Sequence, residues 1–149
     1  MSEESAPTVV LTQQQGYQFD ISFPPTATHV LSDEPPPLGL GAGPSPAHLL
    51  LAAVGNCMSS SLYFALSKFK NDPRGITTTA RAQIGRNEAG RLRVLHIDVA
   101  ITLGAKAETL NHLERILGQF EEFCTVGQSV RNGIPMDVSV YDGTGEKLK

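Results

Sequence analysis

Ser45-Pro46-Ala47-His48-Leu49-Leu50-Leu51-Ala52-Ala53-Val54-Gly55-Asn56-Cys57-Met58 carries the longest apolar run of the chain, and its reading decides the fold. Ser45 is an N-cap residue type, and Pro46 suits the first helical position, where a missing N–H costs nothing. The pattern predicts a helix from Pro46 to Lys70, ended by Asn71-Asp72-Pro73. Its first part is apolar nearly all round, as in a helix buried on most sides. The run from Leu49 to Val54 is far shorter than the ~20 residues a membrane span needs.

Upstream, Thr8 to Leu11 and Tyr17 to Phe23 read as strands, the second with Tyr17, Phe19, Ile21 and Phe23 on one face. Gln13 to Gly16 reads as the turn between them. His29-Val30-Leu31 is a third, weaker strand. Asp33 to Pro46 holds five prolines and three glycines and reads as a loop, either a lid over a site or a plain connection.

Downstream, Gly75 to Arg86 and Arg91 to Leu103 form a hairpin across Asn87 to Gly90. Leu95, Ile97, Val99, Ile101 and Leu103 share one face, with His96, Asp98, Ala100 and Thr102 opposite, the alternation of a half-solvated sheet. A second helix is expected from Lys106 to Phe123, with Leu110, Leu113, Leu117, Phe120 and Cys124 as its apolar stripe. Thr125 with Gln128 fits a capping box for a short third helix ended by Gly133. Met136 to Tyr141 reads as a last strand. The order predicts an α+β fold in one domain over residues 1–149, with residues 1–7 a frayed tail.

The 149 residues suffice for a real core. With 18% charged and 40% hydrophobic residues the composition is globular, and a net charge of −3 with scattered basic residues points away from nucleic acid and anionic membrane. No secretory leader is legible, so a cytoplasmic protein is expected. Two cysteines make no disulfide scaffold, and in a reducing compartment a bond between them would be transient.

A cysteine reacts as thiolate and needs a group that lowers its pKa. Cys57 lies mid-helix among Ala53, Val54, Met58 and Leu62, where burial alone raises the pKa. It reads equally as a small core hydrophobe. Cys124 lies just before a helix start, whose free amides favour an anion. It also completes the apolar stripe of the preceding helix. Both readings stay open for both residues.

Gly41-Ala42-Gly43-Pro44-Ser45-Pro46 with Leu49 to Cys57, and Cys124-Thr125-Val126-Gly127-Gln128-Ser129-Val130-Arg131-Asn132-Gly133-Ile134 further on, resemble the two cysteine blocks of OsmC-like proteins. That family includes the organic hydroperoxide resistance enzymes. The resemblance covers Thr8 to Tyr141. It implies antiparallel sheets wrapped around long central helices in an intertwined homodimer. It implies thiol-based reduction of organic hydroperoxides, in defence against oxidative stress. Cys57 then matches the peroxidatic cysteine, oxidised first to a sulfenic acid. Cys124 matches the resolving cysteine, which closes a disulfide. A dithiol such as dihydrolipoamide is the implied electron donor, with no metal, flavin or haem.

The chain departs from that pattern in two places. The peroxidases of the family carry a glutamate ten residues before the first cysteine and an arginine from the N-terminal strands; here Ala47 stands at the first position, and Met1 to Ser67 holds no Lys or Arg. One nearby charge shifts a pKa by ~1–3 units, so the loss matters. Candidate substitutes are His48, Arg131 and, among Gln13 to Gln15, Gln14. Nine residues at ~100° each put His48 on the helix face opposite Cys57. Arg131 reads equally as a solvated residue at a helix end. The peroxidase reading therefore stands beside a second, a non-enzymatic dimer that binds a small hydrophobic ligand or senses redox state. A metal site of Cys57, His48 and Cys124 fits no known ligand spacing.

Overall fold

A computed structural model describes residues 6–133, 136–137, 139–141 and 147–149. The strands are β1 (Val10–Gln15), β2 (Gln18–Ser22), β3 (His29–Ser32), β4 (Ile76–Arg86) and β5 (Leu92–Leu103). The helices are α1 (Pro46–Lys68), α2 (Leu113–Gln119) and α3 (Thr125–Asn132), with short 3-10 turns at Ala107–Thr109 and Phe120–Phe123. The fold is α+β with antiparallel sheets, as expected. It divides into two compact units, Met1–Asn56 with Thr77–Thr102 and Cys57–Ile76 with Leu103–Lys149.

In the first unit β1, β2 and β3 form a three-stranded antiparallel sheet in chain order. β1 runs on through Gln13 to Gln15, which were expected to turn. A bulge between Gln13 and Gln15 absorbs the extra residue. The reversal falls instead at Gly16, whose φ of +48° suits a residue without a Cβ. The Gln13 side chain donates to the Gly16 carbonyl and closes the turn (2.9 Å). Ile21, the centre of the predicted apolar face, is buried at 4% exposure. β4 and β5 pair as the predicted hairpin, and Ile97, Val99 and Ile101 are more covered than their polar neighbours on the other face. Against β4 lies Gly55 of α1, which faces Thr78 and Ala80 at ordinary contact distance.

The proline-rich loop is organised around one carboxylate. Asp33 is buried, and its oxygens accept the amides of Glu34 (2.8 Å), Leu40 (3.1 Å) and Ala42 (3.0 Å) and the Gln18 side chain (3.3 Å). Its own amide donates to Pro44 (3.2 Å). Gly39 comes so close that a Cβ there would meet the Glu34 carbonyl and the Asp33 carboxylate. The Ala42 amide, against the opposing effect of burial, and then Gln18, Leu40 and Glu34 hold the Asp33 pKa below the ordinary carboxylate value.

In the second unit two buried stripes make the core: Met58, Leu62 and Leu66 of α1, and Ile116, Phe120 and Cys124 further on. Each repeats every four residues, the spacing of one helical face. The Ser61 hydroxyl donates to the Phe120 carbonyl at 2.7 Å and ties the two segments together.

α1 stops two residues before the expected Lys70. The amides of Phe69 and Asn71 both return to the Leu66 carbonyl, and Lys70 takes a left-handed φ of +59°. At 23 residues with Lys68 its only charge, α1 is long and apolar enough to cross a membrane by length and composition, which the short run from Leu49 to Val54 did not suggest. Its first part is less buried within the chain than expected. Leu49, Leu50 and Leu51 are half-covered, Ala52 and Ala53 are exposed, and only 28% of its most apolar window is buried.

The single helix expected from Lys106 to Phe123 is not one helix. Asn71 bonds both backbone groups of Asn111, donating to its carbonyl (2.9 Å) and accepting from its amide (2.7 Å). Leu110 is extended, and His112 sits at φ +57° before α2 begins. The pinned strand-like segment cannot join the helical hydrogen-bond ladder. The buried face is consequently Ile116 and Phe120, while Leu117 is half exposed. The expected last strand, Met136 to Tyr141, includes residues outside those described; among the described ones Tyr141 bridges Lys147 antiparallel. Residues 1–5 of the predicted tail also lie outside.

Candidate active site

α3 begins one residue earlier in function than expected. Its N-cap is Cys124, not Thr125. Cys124 is extended (φ −80°, ψ 96°), and its sulfur accepts the Gly127 amide at 3.3 Å. Gln128, expected to complete a capping box with Thr125, instead donates to the Glu121 carbonyl (3.0 Å). A thiol in the N-cap position does what a Ser or Asp oxygen usually does there, satisfying one of the amides that have no partner within the helix.

The same turn brings the two thiols together. Cys57 and Cys124 are both free, Cys57 half-buried and Cys124 fully buried, and they lie near each other. Burial raises the Cys57 pKa, but the Val126 amide, the Cys124 thiol and the Gly127 and Thr125 amides together outweigh it and bring the thiol below its ordinary value. Cys124 moves the other way. Burial pushes it up first, then the hydrogen bond to Cys57; the Gly127 amide opposes, while the charges of Cys57 and Glu121 add to the rise. The two shifts thus run in opposite directions, down for Cys57 and up for Cys124. This corrects the expectation that the helix start favours a thiolate at Cys124. Full burial of Cys124 outweighs its one amide.

The other candidate residues stand elsewhere. His48 caps α1: its Nδ1 accepts the Ser45 amide (3.2 Å) and lies 2.8 Å from the Ser45 hydroxyl. The ring thus reaches back from the third helical position to the N-cap amide, as a Glu or Gln side chain does in a capping box. Because α1 is unbroken from Pro46 to Lys68, the helical rotation between His48 and Cys57 holds. Gln14 is exposed on β1 and donates to the Thr12 carbonyl (3.2 Å). Arg131 is exposed on the last turn of α3, with Nη2 3.4 Å from the Glu121 carboxylate. Among the described residues no three of His, Cys, Asp and Glu cluster closely enough to hold a metal ion.

What the sequence reading missed is that the Thr125–Gly127 backbone lowers the Cys57 pKa. Its only sequence signal is a small residue, Gly127, in the first turn of the helix that Cys124 opens.

An open apolar groove of about 120 Å³ runs between α1 and the segment from α2 to Phe123, lined by Ser61, Phe64, Phe120 and Phe123, with Lys68 and Arg115 also on its wall. Ser61, Ala65 and Lys68 follow Cys57 at the four- and three-residue steps of one face of α1.

Among curated proteins none matches the chain. Several solved structures share the fold. An OsmC-like protein of unknown function from Vibrio cholerae superposes with a TM-score of 0.69 at 19% identity, over 84% of this chain and 93% of that one. A putative osmotic stress induced and detoxification response protein from Psychrobacter arcticus gives 0.70 at 20% identity, over 87% and 91%. An organic hydroperoxide resistance protein from Elizabethkingia anophelis gives 0.62 at 19% identity, over 88% and 93%. The family model described as OsmC-like protein matches residues 39–139, which include both cysteines and most of the chain. The chain therefore belongs to the OsmC-like family.

Proposed function

We propose that the protein reduces organic hydroperoxides with Cys57 and Cys124. The observation that carries this reading is the pair of free thiols brought near each other at the start of α3, with the pKa of the more accessible Cys57 lowered by its surroundings. The Cys57 thiolate attacks the terminal peroxide oxygen. The O–O bond breaks, Cys57 becomes a sulfenic acid, and the alkoxide takes a proton and leaves as alcohol. Cys124 gives up its proton and attacks the Cys57 sulfur, closing a disulfide and releasing water. An external dithiol of the dihydrolipoyl class reduces that disulfide by exchange and is itself oxidised. The sulfurs and the reductant suffice, without metal, flavin or haem.

The apolar groove whose wall includes Ser61, one turn of α1 beyond Cys57, supports an organic rather than an inorganic peroxide. The incompletely covered α1 supports a homodimer, since a second copy would remove its apolar surface from water. The reading places the chain as one domain in the cytoplasm, where disulfides are reduced after each turnover.

The test is consumption of cumene hydroperoxide with a dihydrolipoamide reducing system, beside Cys57→Ser and Cys124→Ser. Turnover abolished by Cys57→Ser, with Cys124→Ser arrested after the first oxidation, is the expected result. No turnover by the unaltered protein, with both thiols still titratable after peroxide, refutes it and leaves a ligand-binding or redox-sensing protein.

A further inference from the structure

The groove between α1 and the chain from α2 to Phe123 has two unlike ends, one aromatic and one cationic. We propose that it binds a small aryl carboxylate, with the ring among Phe64, Phe120 and Phe123 and the acid group at Lys68 and Arg115. This rests on the reading of the groove as the place for the organic part of a peroxide, and it gives that part an acid group.

The contacts between the two walls fix which residues stand together. The Ser61 hydroxyl of α1 donates to the Phe120 carbonyl at 2.7 Å. Further along α1 and just past its end, Phe69 lies under the Arg115 guanidinium, 5.6 Å from the ring centroid. The walls therefore run antiparallel, with Ser61 and Phe120 at one end and Phe69 and Arg115 at the other. Lys68 adjoins Phe69, so both cations stand at the second end. From Ser61 to Lys68 the helix advances about 10 Å.

The first end suits a ring. Phe64 and Phe123 are 70% and 72% exposed, apolar surface that a ligand removes from water. Aromatic pairs gain beyond burial alone. A space of roughly 150 Å³ holds one benzene ring, so a groove of about 120 Å³ that opens to solvent matches a single ring rather than a long chain.

The second end suits an anion. The groove wall carries two cations and no carboxylate. Among the described residues neither Lys68 nor Arg115 forms an ion pair, and Glu121 is paired with Arg131. Phe69, under the guanidinium, also contacts the His112 ring at 4.9 Å, so Arg115 rests on a supported platform. A planar guanidinium held this way loses little further freedom when it meets a carboxylate. In a chain of net charge −3, this cationic end complements a negative ligand.

The experiment titrates the full chain with 3-phenylpropionate and with neutral 3-phenylpropanol, followed by NMR and without peroxide. Lys68→Met and Arg115→Met are each expected to weaken carboxylate binding about threefold, the size of an exposed charge pair, and to leave the alcohol unchanged. In the unaltered protein the carboxylate binds about tenfold tighter than the alcohol, the product of the two effects, and the advantage shrinks as salt is raised. Phe64→Ser weakens both ligands, and Lys106→Met, off the groove wall, changes neither. All four side chains are exposed, so the variants keep the fold. Equal affinity for acid and alcohol overturns the proposal, as does tight carboxylate binding by the double variant of Lys68 and Arg115. Absence of saturable binding overturns it too, and a dimer that shields Phe64 and Phe123 then assigns the face to a second copy of the chain. Turnover of cumene hydroperoxide without carboxylate binding refutes this inference alone. Carboxylate binding without turnover refutes the peroxidase reading alone.

Discussion

Asn71 and Asn111, forty residues apart, are locked side chain to backbone by two reciprocal hydrogen bonds of 2.9 and 2.7 Å. The pair joins the end of α1 to the chain before α2, and it decides that the segment after β5 starts its helix at Leu113 and not earlier. Asn71 is buried, so both backbone groups of Asn111 depend on it.

Asn71→Ala leaves a donor and an acceptor of Asn111 without their partner. The expected loss is about 1–3 kcal/mol per unsatisfied buried group, relieved in part where water reaches the site. Urea unfolding of the variant, read at unchanged slope, measures it. A midpoint equal to that of the unaltered protein would show that solvent replaces the pair without cost.

The Asp33 carboxylate gives a pH signature. Its folded pKa lies below the unfolded one, so its contribution to stability is fully present above the unfolded value of ~3.9 and is lost as the pH falls through the folded value. Asp33→Asn is expected to melt lower than the unaltered protein at pH 7, because an amide cannot accept all four hydrogen bonds. The gap between the two should narrow as the pH drops below the carboxylate range. A gap independent of pH would mean the lost hydrogen-bond geometry, and not the charge, is what Asp33 supplies.

Leu66 is fully buried at the centre of the second unit. Leu66→Ala is expected to cost about 2–5 kcal/mol through lost transfer energy and the cavity it leaves. Calorimetric melting checks this, and a cost below 1 kcal/mol would indicate that the surrounding side chains collapse into the space.

His48 serves here as a capping residue and not as a partner of Cys57. His48→Ala should lower stability by about 0.5–2 kcal/mol, the range for loss of a helix cap. Its Cys57 alkylation profile should match the unaltered protein. A changed profile would return His48 to the active site, through the helix start or through a second copy of the chain.

Several elements were legible because they are local. Ser45-Pro46 fixed the start of α1, the alternation in β2 and β5 fixed their faces, and Asn87 to Gly90 fixed a hairpin. The two cysteine blocks identified the family and picked out the pair that the structure brings together. The second helix was misread because Lys106 to Phe123 has an acceptable helical period, while the bonds that break it come from Asn71, far away in sequence. Gln13 to Gln15 were misread because a polar triplet next to a glycine reads as a turn, while the bulge that keeps them in β1 depends on pairing with β2.

The sequence by itself determined most of the element types, the apolar character of α1 and the presence of two thiols at family positions. These are properties of period, capping and composition, which act over a few residues. Only the tertiary structure decided that the two thiol pKa values move apart. That depends on burial and on amides contributed by a different segment: Cys124 is sealed in the core, while the first-turn amides of α3 lower Cys57. A pKa is set by everything within a few ångströms of the atom, and sequence distance does not measure that.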